Sequence, residues 1–208
     1  MAVAALTLFV AFMLLSGGVR TLIQQRRTGD TGNRRRWAAR GSLEWWGLAV
    51  ADLGYLLVGL GAPVAALAGL APLAVVDHPV ARSLGLVLVV LGILATFGAQ
   101  LALGASWRIG VDQDEHTALV TTGPFRLVRN PVFTAALVVF LGVALMVPNP
   151  VAIAGLAVTL TGIEIQVRLV EEPYLRRVHG VTYTNYASQV GRFLPGLGRL
   201  RADHPHGG

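Results

Sequence analysis

Four apolar stretches in this chain of 208 residues are each about as long as a membrane-crossing helix requires, or longer, and a fifth comes close. A helix needs roughly 18 to 20 apolar residues to cross about 30 Å of hydrocarbon, where every backbone N–H and C=O must find its partner within the segment. Such a chain is expected to fold as an all-α, polytopic transmembrane bundle of about five spans. Composition agrees, with 54% hydrophobic residues and only 13% charged, whereas about a quarter of a soluble domain is charged.

The first span is expected over 3–19, with no basic residue ahead of it and Arg20, Arg26 and Arg27 behind. A cleaved secretory leader has the reverse flanks, so this span is read as a retained helix. Residues 20–44 hold seven arginines together with Gly29, Gly32 and Asn33 and are expected to form a solvated, irregular loop against lipid head groups. Trp45 and Trp46 read as an interfacial anchor. The apolar run behind them is too long for one span and too short for two, so a helix ending near Ala62 is expected, followed by a partly embedded segment over 63–76 that Pro63 opens.

A third span is expected over 81–104, with Ala95, Gly98, Ala99 and Ala102 as its close-packing positions. Residues 105–131 form a second polar loop. The fourth and fifth spans, 132–147 and 151–170, are separated only by Pro148, Asn149 and Pro150 and are expected to form an antiparallel hairpin. With this division sixteen arginines fall on one side and only Arg82 on the other. The positive-inside rule then puts the N-terminus outside and the C-terminus in the cytoplasm.

All 17 basic residues are arginine and there is no cysteine. Thiol nucleophiles, thiolate metal sites and Schiff-base chemistry are thereby excluded. The net charge of +6 lies in loops between apolar spans, so it reports orientation and no nucleic-acid partner is expected. No metal is expected either.

Ionisable residues inside a span normally face the bundle interior or an aqueous cavity. Glu164, Arg168 and Glu171 follow i, i+4, i+7 spacing, which puts them on one face of the fifth span, and Glu172 lies beside them. Spacing alone leaves two readings open, an intramembrane ion pair of Glu164 with Arg168 that only joins helices, and charges lining a cavity. The loop before the fourth span reads Leu119-Val120-Thr121-Thr122-Gly123-Pro124-Phe125-Arg126-Leu127-Val128-Arg129-Asn130-Pro131-Val132-Phe133. A second group follows as Glu171-Glu172, His179-Gly180, Tyr183, Tyr186 and Arg192-Phe193-Leu194-Pro195.

These two ordered motifs resemble the signature of the isoprenylcysteine carboxyl methyltransferase family over about residues 100–198. Asn130 stands where the family has His, Phe125 and Phe133 where it has Tyr, and His179 where it has Phe. The resemblance implies a membrane enzyme that binds S-adenosyl-L-methionine between the two motifs and methylates a lipophilic acceptor entering from the bilayer. It places cofactor contacts on His116, Thr117, Leu119, Val120, Phe125, Asn130, Pro131, Phe133 and Glu171. Arg168 is then the nearest match, one position out of register, to an arginine that holds the acceptor carboxylate, and Glu172 is a second catalytic candidate. Tyr183 and Tyr186 are read as interfacial anchors.

The division expected is a scaffold over 1–99, a methyltransferase region over 100–198 and a loose tail over 199–208. The protein is expected in a bacterial plasma membrane with its site facing the cytoplasm. Two rival readings are a sterol-reductase-like oxidoreductase using NADPH and a non-enzymatic transport or scaffold protein.

Overall fold

The computed structural model of the chain describes residues 1–35, 38–112 and 117–200. Five helices account for most of them: α1 (Ala2–Thr28), α2 (Leu43–Leu67), α3 (Pro79–Ala102), α4 (Pro131–Met146) and α5 (Pro150–Gln189). All but α4 are long and apolar enough to cross a membrane, and α4 is a shorter apolar helix. Among the described residues there is no strand, only two isolated backbone bridges. The architecture is the all-α membrane bundle read from the apolar runs.

Several boundaries differ from those expected, each for a local reason. Helix α1 does not stop at Val19 but continues to Thr28, where Gly29 adopts the left-handed conformation that ends it. The residues expected to be a solvated loop are instead partly buried, because Ser16, Arg20 and Gln24 share one helical face and pack on the end of α3. Helix α2 runs through Pro63 to Leu67. Proline removes one backbone donor and crowds the preceding turn. That turn, Leu57–Gly61, is widened into a π-helix, and the Ala62 carbonyl accepts from Asn149 Nδ2 at 2.9 Å. The connecting segment is therefore shorter than the expected 63–76, and Leu73 N–H donates to Pro148 O at 2.7 Å across the far end of the bundle.

Helix α3 packs most extensively on α4, and α2 on α5. Helices α3 and α4 approach closely at Gly85 and Gly142, where an added Cβ on either would lie 2.6 Å from the other's carbonyl oxygen. Ala95 and Gly98, expected at the interface, are exposed, while Ala99 is buried. Helices α4 and α5 are joined by the short turn expected, with Asn149 Oδ1 capping α5 through Ala152 N–H at 3.0 Å. Their main partners are nonetheless α3 and α2, so the hairpin is a connection more than a packing unit. Phe9 and Phe12 of α1 converge on Phe140 of α4, and Tyr55 of α2 stacks on the same ring.

Candidate active site

One end of the bundle is closed by the two polar motifs, which the fold joins directly. Arg129 N–H donates to Gly191 O at 2.8 Å and Asn130 N–H to Arg192 O at 3.1 Å, forming a parallel bridge next to the start of α4. The side chains extend the seam: Asn130 Nδ2 donates to Arg192 O at 3.2 Å and Thr134 Oγ1 to Phe193 O at 3.0 Å.

Arg129 is the centre of this closure. Its guanidinium is buried and donates to the carbonyls of Ala187, Val190 and Gly198 and, at 2.7 Å, to Glu172. Glu172 also accepts from Arg192 at 2.7 and 2.9 Å. A planar five-donor fork suits such convergent acceptors, and a buried charge is tolerable only when it is paired and hydrogen-bonded. Hydrogen bonding to Glu172 holds the Arg192 guanidinium above its ordinary range.

The opposite wall hangs from α1 and α2. Arg20 Nη2 donates to Gly104 O at 2.7 Å, Gln24 Nε2 to Ala105 O at 3.0 Å, and the Arg20 guanidinium lies 4.5 Å from the Trp107 ring centroid. Arg34 N–H and Ile109 N–H bridge residues 32–34 to the segment after α3, and a hydrogen bond from the Arg34 side chain holds Asp30 well below the usual carboxylate range. Glu44, in the first turn of α2, accepts from Val111 N–H at 2.6 Å.

Between these walls is a cavity of about 210 Å³. Thr117, Leu119, Val120 and Phe125 line it from the loop, Asn130, Pro131 and Phe133 from the start of α4, and Glu171 and Glu172 from α5. Of the residues singled out by sequence, His116 lies outside the described residues, and Arg168 is not brought to the cavity. Its side chain is 55% exposed and paired with Glu164. The physical reason is a π-helical turn over Gln166–Glu171, which changes the angular step so that Glu171 turns inward and no longer shares a face with Glu164 and Arg168.

Glu171 and Glu172 have different environments. Glu172 is held by two arginines, whereas among the described residues Glu171 accepts only from Gln166 Nε2, at 3.5 Å. A carboxylate so lightly engaged on a cavity wall retains capacity for donors from a ligand.

Trp107, Val111, Tyr174, Tyr183 and Tyr186 also line the cavity. Tyr183 is buried and Tyr186 Oη donates to Phe125 O at 2.6 Å, so neither tyrosine is the interfacial anchor expected. Gly180, at φ 50° and ψ −127°, breaks the helical path inside α5. That conformation is open to glycine and brings the last turns back over the cavity. Membership of the second motif was the available signal for both tyrosines, and Arg129 was legible in the same way from the first.

Fold and site together define an integral membrane helical protein with a cavity built by two joined motifs at one end of its bundle. Residues 80–182 match the model of the phospholipid methyltransferase family. Protein-S-isoprenylcysteine O-methyltransferase A of Arabidopsis thaliana is 31% identical over 121 residues, covering 57% of this chain and 61% of the relative. Its B counterpart is 29% identical over 113 residues, covering 53% and 57%, and a probable protein-S-isoprenylcysteine O-methyltransferase of Oryza sativa subsp. japonica is 29% identical, covering 53% and 59%. The chain thus spans about three-fifths of the length of the curated relatives it matches. No solved structure matches. The matched segment 80–182 carries the first motif and the start of the second, and this similarity agrees with the resemblance drawn from those motifs.

Proposed function

We propose that the protein is an integral membrane methyltransferase that takes its methyl group from S-adenosylmethionine and transfers it to a lipophilic acceptor, the carboxylate of an isoprenoid or another lipid. The observation that carries this reading is Glu171, a lightly engaged carboxylate on the wall of the cavity that both motifs build.

The residues present fit such a donor. Glu171 can accept hydrogen bonds from its amino group or ribose hydroxyls, and the faces of Phe125 and Phe133 offer a quadrupole to a sulfonium cation. When bound, the donor supplies a methyl group activated by the positive sulfur. The protein's own contribution is alignment and exclusion of water, through the Arg129–Glu172–Arg192 closure on one side and the Arg20-supported wall on the other. A carboxylate acceptor is already ionised at neutral pH and needs no general base. Relatives named for O-methylation of isoprenylcysteine support an acceptor of this kind, and the excess of arginine at the cavity end of the bundle supports a cytoplasmic site.

Calorimetric titration of the detergent-purified protein with S-adenosylhomocysteine, with NADPH in parallel, tests this. Saturable binding of the first alone is expected. Binding of NADPH alone would instead support the reductase reading, and binding of neither by folded protein would remove the enzymatic one.

A further inference from the structure

Glu44 stands in the first turn of α2, outside both motifs and outside the matched segment 80–182. It is a buried carboxylate whose hydrogen-bond partner, among the described residues, is a backbone amide and not a cation: Val111 N–H donates to it at 2.6 Å. Burying a carboxylate is costly, and an apolar side chain would fill the same space at less cost. The cost is explained if the place of its oxygen matters.

What that oxygen holds is the cavity wall. Gly110, Val111 and Asp112 line the cavity from the segment that follows α3. Gly110 has φ 83°, in the left-handed region open to glycine, and an added Cβ there would lie 3.0 Å from Glu44 Oε1. The backbone thus passes directly over the carboxylate. Val111 also packs with Val170 and Tyr174 of α5. Apolar contact is non-directional and lets a wall slide, whereas a hydrogen bond fixes one register.

The same end of α2 meets the opposite wall. Glu44 and Gly47 are i, i+3 neighbours on the helix surface. At Gly47 an added Cβ would lie 3.0 Å from Gln166 Oε1 and 3.2 Å from Gln166 N. Gln166 opens the π-helical turn of α5 and donates to Glu171 at its end. The start of α2 therefore touches both the 110–112 wall and the turn that aims Glu171 into the cavity.

Resting on the methyltransferase reading, we infer that Glu44 is a positioning residue of the donor site: its carboxylate sets the separation of the 110–112 wall from Glu171, and so the width of the cavity that receives the donor. The helix that carries it is thereby part of the site and not scaffold alone.

The test separates reach from charge, using full-length protein in detergent and S-adenosylhomocysteine as the probe. Glu44→Gln keeps an acceptor oxygen at the same reach without the charge, and should bind within about threefold of wild type. Glu44→Asp keeps the charge one methylene short of Val111 N–H, and should bind roughly tenfold more weakly. Amide hydrogen exchange over residues 107–112 should quicken in Glu44→Asp and stay near wild type in Glu44→Gln. Asn149→Ala, which uncaps α5 at the other end of the bundle, should lower the unfolding midpoint and leave affinity unchanged. The inference fails if Glu44→Gln weakens binding as much as Glu44→Asp or more, since charge would then be the acting property. It fails equally if Glu44→Asp quickens exchange without loss of affinity, if neither variant changes anything, or if Asn149→Ala loses affinity in proportion to its stability. Absence of S-adenosylhomocysteine binding in folded wild type is a different failure, that of the methyltransferase reading itself, and removes the inference with it.

Discussion

Arg129 and Glu172, 43 positions apart in sequence, are joined by a buried 2.7 Å ion pair that ties the loop before α4 to the middle of α5. Because Glu172 also holds Arg192, neutralising it leaves two guanidinium groups without their counter-ion. Removing one partner of a buried pair typically costs about 3–5 kcal/mol, more than the pair contributes relative to an apolar replacement. Glu172→Gln is therefore expected to lower the thermal unfolding midpoint in detergent by several degrees, and Arg129→Met similarly. The double variant should lose much less than the sum of the two, as a thermal-shift mutant cycle would show. Additive losses would mean that the residues act independently.

Glu171 differs because, among the described residues, its carboxylate accepts one long side-chain hydrogen bond, from Gln166, and forms no arginine ion pair. Glu171→Gln should leave the unfolding midpoint within a degree or two of wild type while weakening S-adenosylhomocysteine by about tenfold, the cost of one charge-assisted hydrogen bond. Adjacent glutamates would thus separate a stability defect from a binding defect. Unchanged ligand affinity in this variant would withdraw Glu171 from the donor site.

The contrast also shows what was legible in the sequence. Apolar run length determines how many helices can span a membrane, so the five helices followed from composition and periodicity alone. Charged residues were harder to place. The i, i+4, i+7 spacing of Glu164, Arg168 and Glu171 assumed a uniform 100° step, and a π-helical turn over 166–171 undoes that assumption. Arg20 similarly reads as a loop residue by the positive-inside rule, since nothing in the flanking sequence indicates that the end of α3 offers two carbonyls and an indole face. Tyr183 and Tyr186 depend on the turn at Gly180, a backbone choice that periodicity does not report.

Arg20 supplies a third prediction. It is 1% exposed and donates to Gln100 O and Gly104 O while covering Trp107, which lines the cavity. Arg20→Met removes donors from two buried carbonyls and leaves the C-terminal end of α3 less well capped, at about 1–3 kcal/mol for each group left unsatisfied. The cavity wall should loosen without loss of the bundle. Expected are a lower unfolding midpoint, a red-shifted Trp107 emission in a variant whose other tryptophans are replaced by phenylalanine, and weaker S-adenosylhomocysteine binding. A change in stability with unaltered emission and affinity would show that Arg20 supports the bundle but not the site.

The α3 and α4 contact can be tested at two glycines that sequence alone ranks alike. Without a strong hydrophobic drive between helices in lipid, association rests on close backbone approach and van der Waals packing. At Gly142 an added Cβ would meet Gly85 O at 2.6 Å and the Val89 side chain at 2.8 Å, and the nearest obstruction is backbone, which cannot swing aside. At Gly98 nothing lies within 4 Å. Gly142→Leu should therefore force the helices apart and lower the unfolding midpoint strongly, since overpacking costs about 1–3 kcal/mol even where neighbours can adjust. Gly98→Leu should be tolerated or slightly stabilising, because leucine is the better helix former. The reverse result would mean that α3 presents its Gly98 face to α4, and the wall carrying Trp107 would have to be repositioned with it.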